Sequence, residues 1–136
     1  MNRLIENLTV FGIGGFLYGG IEIAFRGFTH WSMFLAGGTI FVLLYNLFAY
    51  IGKGHFLLKC TLGCAIITTI EFITGVGVNM ILGLNVWDYS DKAANLFGQI
   101  CIAFSIGWFF ISIPASLLAD FIRSQFNSDS RAAKLP

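Results

Sequence analysis

The stretch Glu22-Ile23-Ala24-Phe25-Arg26-Gly27-Phe28-Thr29-His30-Trp31-Ser32 decides the fold, because a long apolar run starting near Leu8 ends there in a dense polar cluster. A second cluster, Asn85-Val86-Trp87-Asp88-Tyr89-Ser90-Asp91-Lys92-Ala93-Ala94-Asn95-Leu96-Phe97-Gly98-Gln99, interrupts the apolar sequence further on. Apolar runs of membrane-crossing length, punctuated by short polar segments, are the pattern of a multi-pass helical protein.

Composition agrees. Hydrophobic residues make up 57% of the 136-residue chain and charged residues 11%, against roughly 25% charged in soluble domains, and the mean hydropathy is +0.80. The length holds about four spans of roughly 20 residues each and no separate soluble domain. The sequence therefore predicts an all-α membrane protein, a four-transmembrane-helix bundle over residues 1–123. Its spans are expected at about Leu8–Phe25, Met33–Ile51, Leu57–Leu84 and Phe97–Ile122, and a polar, disordered tail over residues 124–136. Acidic Glu6 and the lack of a small-x-small site before Glu22 make the first run a retained helix. A net charge of +1 gives no basis for a nucleic-acid partner; the partner implied is the lipid bilayer. Cys60, Cys64 and Cys101 cannot all pair, and in apolar helices cysteine packs as a small hydrophobe. Cys60 and Cys64 share a helix face, but no His or acidic residue nearby completes a ligand set, so no metal and no cofactor is expected.

Orientation follows the positive residues flanking the spans. Arg3, Lys53, Lys59, Arg123, Arg131 and Lys134 fall on one side, Arg26 and Lys92 on the other. Both termini are accordingly expected in the cytoplasm of a bacterial cell, with the protein in the plasma (inner) membrane and both polar clusters facing outward. At ~100° per residue, Gly12, Gly15, Tyr18, Gly19, Glu22 and Arg26 share one face of span one. Gly15 and Gly19 form a small-xxx-small pair suited to close helix approach. Thr68, Glu71, Gly75, Val78 and Asn79 share one face of span three.

Glu71 is the costliest residue, since an ionised carboxylate at mid-bilayer costs about 2.5–3.5 kcal/mol on insertion scales. It must face protein or water, as a proton or cation site, as a general acid or base, or as a hydrogen-bonding strut between helices. Glu22 and Arg26 have the i, i+4 order of a helical ion pair, and Arg26 alternatively suits a phosphate or carboxylate. Thr29, His30, Trp87, Asp88, Tyr89, Asn79 and Gln99 complete the candidate set, with Tyr18 on the same face as Glu22. Trp31 and Trp87 also fit an interfacial aromatic belt. Asp88 is placed to accept from Arg26 or His30 across the outer mouth, and Arg26, His30, Asp88 and Gln99 are expected to form one cluster.

Phosphate-loop, nucleophile-elbow and His-Glu-x-x-His motifs are absent from the sequence. The segments Gly14–Glu22, Arg26–Ser32, Thr69 with Glu71 and Phe72, Gly75, Asn79, Val86–Ser90 and Gly98–Cys101 together resemble the ABC-transporter type IV family, the CmpB-like small integral membrane proteins, across residues 14 to 112. The resemblance implies permease-like transport and, through the family label alone, an ATPase partner. From the residues, three readings stand side by side. The first is transport or binding of a small polar or anionic ligand or lipid headgroup, through an outward polar mouth leading to Glu71. The second is a membrane enzyme using Glu22, Arg26, His30 and Asp88 on a lipid headgroup or cell-envelope precursor. The third is an accessory subunit. Four glycine-rich spans offer limited shielding for Glu71, so a homodimer is also expected.

The topology is directly measurable. With the native cysteines removed, Asp91→Cys should react with an impermeant thiol reagent on intact cells, and Lys53→Cys only after permeabilisation. The reverse pattern would put the polar clusters in the cytoplasm.

Overall fold

The computed structural model describes residues 3–132. Four helices cross from end to end: α1 (Arg3–Arg26), α2 (Trp31–Ile51), α3 (Phe56–Gly75) and α4 (Ile102–Ala132). α3 continues without a break as a π-helical segment, Val76–Ile81. Each of the four is long and apolar enough to cross a membrane, and among the described residues the only β-type pairing is one isolated bridge, Leu96 to Ile100. The expected all-α, four-span fold is what the chain adopts.

Four boundaries differ from expectation, the first being that α1 begins at Arg3, five residues before Leu8. Span three ends at Ile81 because Gly83 and Asn85 take left-handed backbone angles, φ +65° and +48°, which no helix accepts. Span four begins at Ile102, since Phe97 and Gly98 are likewise left-handed, φ +51° and +70°. Residues 124–132, expected to be disordered, are the last turns of α4; the rest of that tail, Lys134 included, lies outside the described residues. At 31 residues α4 is about 46 Å long, well beyond the roughly 30 Å hydrocarbon core.

α1 packs along α2, and α3 along α4, while α2 also touches α3 and α4. The α1–α2 seam is set by glycine. A Cβ on Gly37 would lie 2.3 Å from Tyr18 Cβ and 2.8 Å from the Gly14 carbonyl, and one on Gly14 would lie 2.7 Å from the Gly37 carbonyl. Of the anticipated small-residue pair, Gly15 is also tight, against the Phe34 ring, but Gly19 has only ordinary contact with Thr29. The seam therefore runs through Gly14 and Gly15.

At the end where α1 begins and α4 ends, one polar network ties all four helices. Tyr45 of α2 donates to Glu6 of α1; Arg123 of α4 donates to the Tyr45 carbonyl, and its guanidinium sits 4.3 Å over the Tyr45 ring. Asp120 pairs with Arg123 at 3.2 Å and with Lys59 of α3 at 3.9 Å. Lys59 is buried, its ammonium 5.6 Å from the Phe48 ring centroid.

Gly37→Ala should lower stability by about 1–3 kcal/mol through overpacking against backbone. Gly20→Ala, at a position with nothing within 4 Å, should be neutral. Unfolding in mixed micelles compares the two, and equal stability of both variants would show that α1 and α2 do not depend on this contact.

Candidate functional site

Glu71 is 3% exposed and lies ten residues before the end of the Phe56–Ile81 helix, about 15 Å below it. Its two oxygens are satisfied from different elements. Tyr89, in the loop between Ile81 and α4, donates to Oε1 at 3.2 Å; Trp108 of α4 donates through Nε1 to Oε2 at 2.9 Å. The loop therefore folds back into the bundle, burying Val86, Trp87 and Tyr89. Tyr18 of α1 stacks on Trp108 at 5.6 Å, and Tyr89 stacks on Phe104 at 4.8 Å.

Asn79 and Gln99 shape that loop. Asn79, on the π-helical segment, accepts from the Val86 amide at 2.6 Å and donates to Gln99 Oε1 at 2.9 Å. Trp87 Nε1 donates to the Gln99 carbonyl at 2.9 Å, and Gln99 donates to the Phe97 carbonyl at 2.8 Å. Gly75 makes room: a Cβ there would lie 2.5 Å from Gln99 Oε1 and 2.9 Å from Trp87. Gly98 is left-handed, and a Cβ would strike Ser90 Oγ and Asp88 Oδ1; its carbonyl accepts from the Tyr89 amide at 2.8 Å. Gly75 and Gly98 thus position Trp87 and Tyr89, and neither was among the expected site residues.

Glu22 and Arg26 form the expected ion pair, with Glu22 buried and Arg26 partly so. Arg26 also donates to the Val86 carbonyl at 3.3 Å and lies 5.7 Å over the Trp87 ring. Of the expected outer cluster, Arg26 and Gln99 are therefore joined through Val86 and Trp87, and His30 and Asp88 are not. His30 caps α2: its Nδ1 accepts from the Ser32 amide at 3.3 Å and lies 2.7 Å from Ser32 Oγ. Thr29 is exposed beside it. Asp88 is exposed and accepts from the Ser90 hydroxyl and amide, which hold its carboxyl below the usual carboxylate range. No hydrogen bond or ion pair joins Asp88 to Arg26 or His30, so the expected bridge across the mouth is replaced by a local turn.

Beside this core runs a cleft between α1 and α4. Its outer part, about 220 Å³, is lined by Glu22, Arg26, Tyr89, Phe104, Gly107 and Trp108 among others. The adjoining part, about 330 Å³, is walled by Leu17, Tyr18, Pro114 and Leu118 and floored by Gly37 and Phe41. Ile21, Trp108 and Ile111 line both.

A family model described as "Putative ABC-transporter type IV" matches residues 8–132. The chain belongs to the ABC-transporter type IV family. No curated protein and no solved structure matches it. The family assignment covers all four spans, the folded-back loop and the Glu22–Arg26 pair, so the geometry above belongs to a domain of this family and not to an appended segment.

Tyr89→Phe and Trp108→Phe should each cost about 1 kcal/mol by removing one hydrogen bond to Glu71. Because both serve the same carboxylate, the double variant should cost more than the two single losses added. Strict additivity in a double-mutant cycle would mean that Glu71 does not couple the loop to α4.

Proposed function

We propose that the chain is a permease-like membrane protein that binds a small polar or anionic ligand, or the polar head of a larger one, in the cleft beside Glu71. The observation that carries this reading is the double commitment of Glu71, to Tyr89 of the folded-back loop and to Trp108 of the cleft wall. A ligand that displaces either aromatic group leaves a carboxylate oxygen unsatisfied in an apolar bundle, so binding and loop position are energetically linked. Tyr89 and Trp108 both line the outer part of the cleft, next to Glu22 and Arg26, which gives an entering polar group its first partners.

The family description, an ABC-transporter type, supports transport and, by that label alone, an ATPase partner. In this reading an ATPase meets the end of the bundle carrying loop 52–55 and the projecting turns of α4 after Arg123. The enzyme reading loses support from geometry, because His30 and Asp88 are each bonded within their own turns. An accessory role draws support from one observation: each Glu71 oxygen has a donor inside the chain, so the residue would serve as a strut without any ligand.

Glu71→Gln separates the two. A glutamine keeps an oxygen for the Trp108 donor and offers its amide to the Tyr89 hydroxyl, which can reverse direction. The variant should therefore fold, whereas Glu71→Leu strands two buried donors at about 1–3 kcal/mol each. Against a panel of small polar and anionic solutes, the wild-type protein should be stabilised by some members, by about 2.7 kcal/mol at a hundredfold excess over Kd, and Glu71→Gln by none. Wild-type protein that no solute stabilises, with flux in proteoliposomes no greater than in empty vesicles, would leave the accessory role.

A further inference from the structure

The cleft has two chemically unlike parts in a fixed order. Arg26 is the last residue of α1 and so lies at the membrane boundary, Glu22 is one turn inward, and Leu17, Tyr18 and Gly14 follow toward the middle of the helix. The outer part carries one positive and one negative side chain; the inner part is apolar. That is the polarity order of a lipid in the adjacent leaflet, head at the boundary and chain toward the centre. α1 and α4 meet across the cleft through the Tyr18–Trp108 stack but pack mainly on α2 and α3.

The two charged groups are also incompletely used. A guanidinium has five N–H donors, and Arg26 donates one to the Val86 carbonyl and forms an ion pair with Glu22. Its other contacts are with the Phe28 and Trp87 ring faces, so most of its donors lack an acceptor among the described residues. Glu22 is 6% exposed, and its one partner there is Arg26, although a carboxylate has about four acceptor sites. Glu22 Oε2 is buried without a hydrogen-bond donor, beside a partly exposed guanidinium with donors to spare, and that combination calls for a complementary ligand. Because the pair carries both signs, a purely anionic head would meet Arg26 but be repelled by Glu22. A head with a phosphate and a hydrogen-bearing ammonium satisfies both.

We propose that the α1–α4 cleft is a binding site for a phospholipid with a phosphoethanolamine head, its phosphate on Arg26, its ammonium on Glu22 and an acyl chain against Tyr18, Phe41 and Leu118. This deepens the proposed function by naming the ligand class of the same cleft, and it rests on that reading. A phosphocholine head has the same charges but no N–H to donate to Glu22; a phosphoglycerol head lacks the cation. The site thus separates three lipids of equal chain length by head chemistry alone. Bound chain would cover Trp108 and press the stacked pair beneath it, which connects the lipid to Glu71.

The test uses the full chain, purified in mild detergent and exchanged into an equimolar mixture of phosphatidylethanolamine, phosphatidylcholine and phosphatidylglycerol with identical acyl chains, followed by native mass spectrometry. Phosphatidylethanolamine should be retained at least fivefold over each of the others. Gly107 lines the outer part, and a Cβ added there would meet nothing within 4 Å, so Gly107→Leu should fold, fill the space and abolish the preference. Glu22→Gln should reduce the phosphatidylethanolamine-to-phosphatidylcholine ratio toward one. Equal retention of the three lipids, a preference for phosphatidylglycerol, a preference that survives Gly107→Leu, or a lipid-free dimer would each overturn the proposal. Glu71-dependent stabilisation by soluble ligands is read separately, so loss of the lipid preference alone removes the lipid and not the binding role of the cleft.

Discussion

A carboxylate in an apolar four-helix bundle has to find two hydrogen-bond donors or be lost to the fold, and the donors that reach Glu71 come from the loop and from α4. Trp and Tyr suit this task because each brings one polar atom on a large apolar body that packs without further satisfaction. Much else follows from that arrangement. Tyr89 can reach Glu71, about 15 Å below the end of the Phe56–Ile81 helix, only if the loop descends into the bundle, and the loop descends only if its own backbone groups are paired. Asn79, Gln99 and the Gly98 carbonyl supply that pairing. In lipid, non-helical backbone is tolerated where protein surrounds it, and Gly75 opens the space on α3 that lets Trp87 and Gln99 enclose it.

The two ends of the bundle are held by different means. At the end where α1 begins and α4 ends, polar and charged groups from all four helices meet in the Glu6, Tyr45, Arg123, Asp120 and Lys59 network. Toward the other end α1 reaches the loop through Arg26 and the Val86 carbonyl and reaches α4 through the Tyr18–Trp108 stack. In between, α1 rests on α2 through Gly14 and Gly37. The cleft opens on the side where α1 and α4 have the fewest ties, and the charged network keeps those helices from parting at the opposite end.

Much of this was legible in the sequence. Four spans followed from apolar run lengths, the Glu22–Arg26 pair from its i, i+4 spacing, and the inward face of Glu71, Gly75 and Val78 from helical periodicity. What periodicity could not convey was the loop. Phe97 to Cys101 is apolar enough to extend a helix, but Phe97 and Gly98 are left-handed, and that choice is made by tertiary bonds from Tyr89, Trp87 and Asn79. The same limit explains His30 and Asp88: their residue types suggest a site, while the nearest donors and acceptors, Ser32 and Ser90, are two positions away and win by proximity. Lys59 and Arg123 read as topology markers because charge is the only property a sequence displays for them; Asp120 as the partner of Lys59 and the Tyr45 carbonyl as that of Arg123 lie on other helices.

The π-helical segment joins these themes. A π-turn adds one residue to a helical turn and rotates everything after it relative to the face set before it. Glu71 and Gly75 precede Val76–Ile81, and Asn79 lies within it. Asn79 is thereby able to address Val86 and Gln99 at once while Glu71, two turns earlier, addresses Tyr89 and Trp108. An α-helix throughout would keep the two polar groups in regular register on one face; the wider turn lets one serve the loop backbone and the other the aromatic pair. π-turns persist where something outside the helix compensates their poorer backbone geometry, and here the compensation is the loop itself. The loop and the π-turn therefore stabilise each other, and a change that lifts Tyr89 from Glu71 also loosens the segment of α3 that carries Asn79.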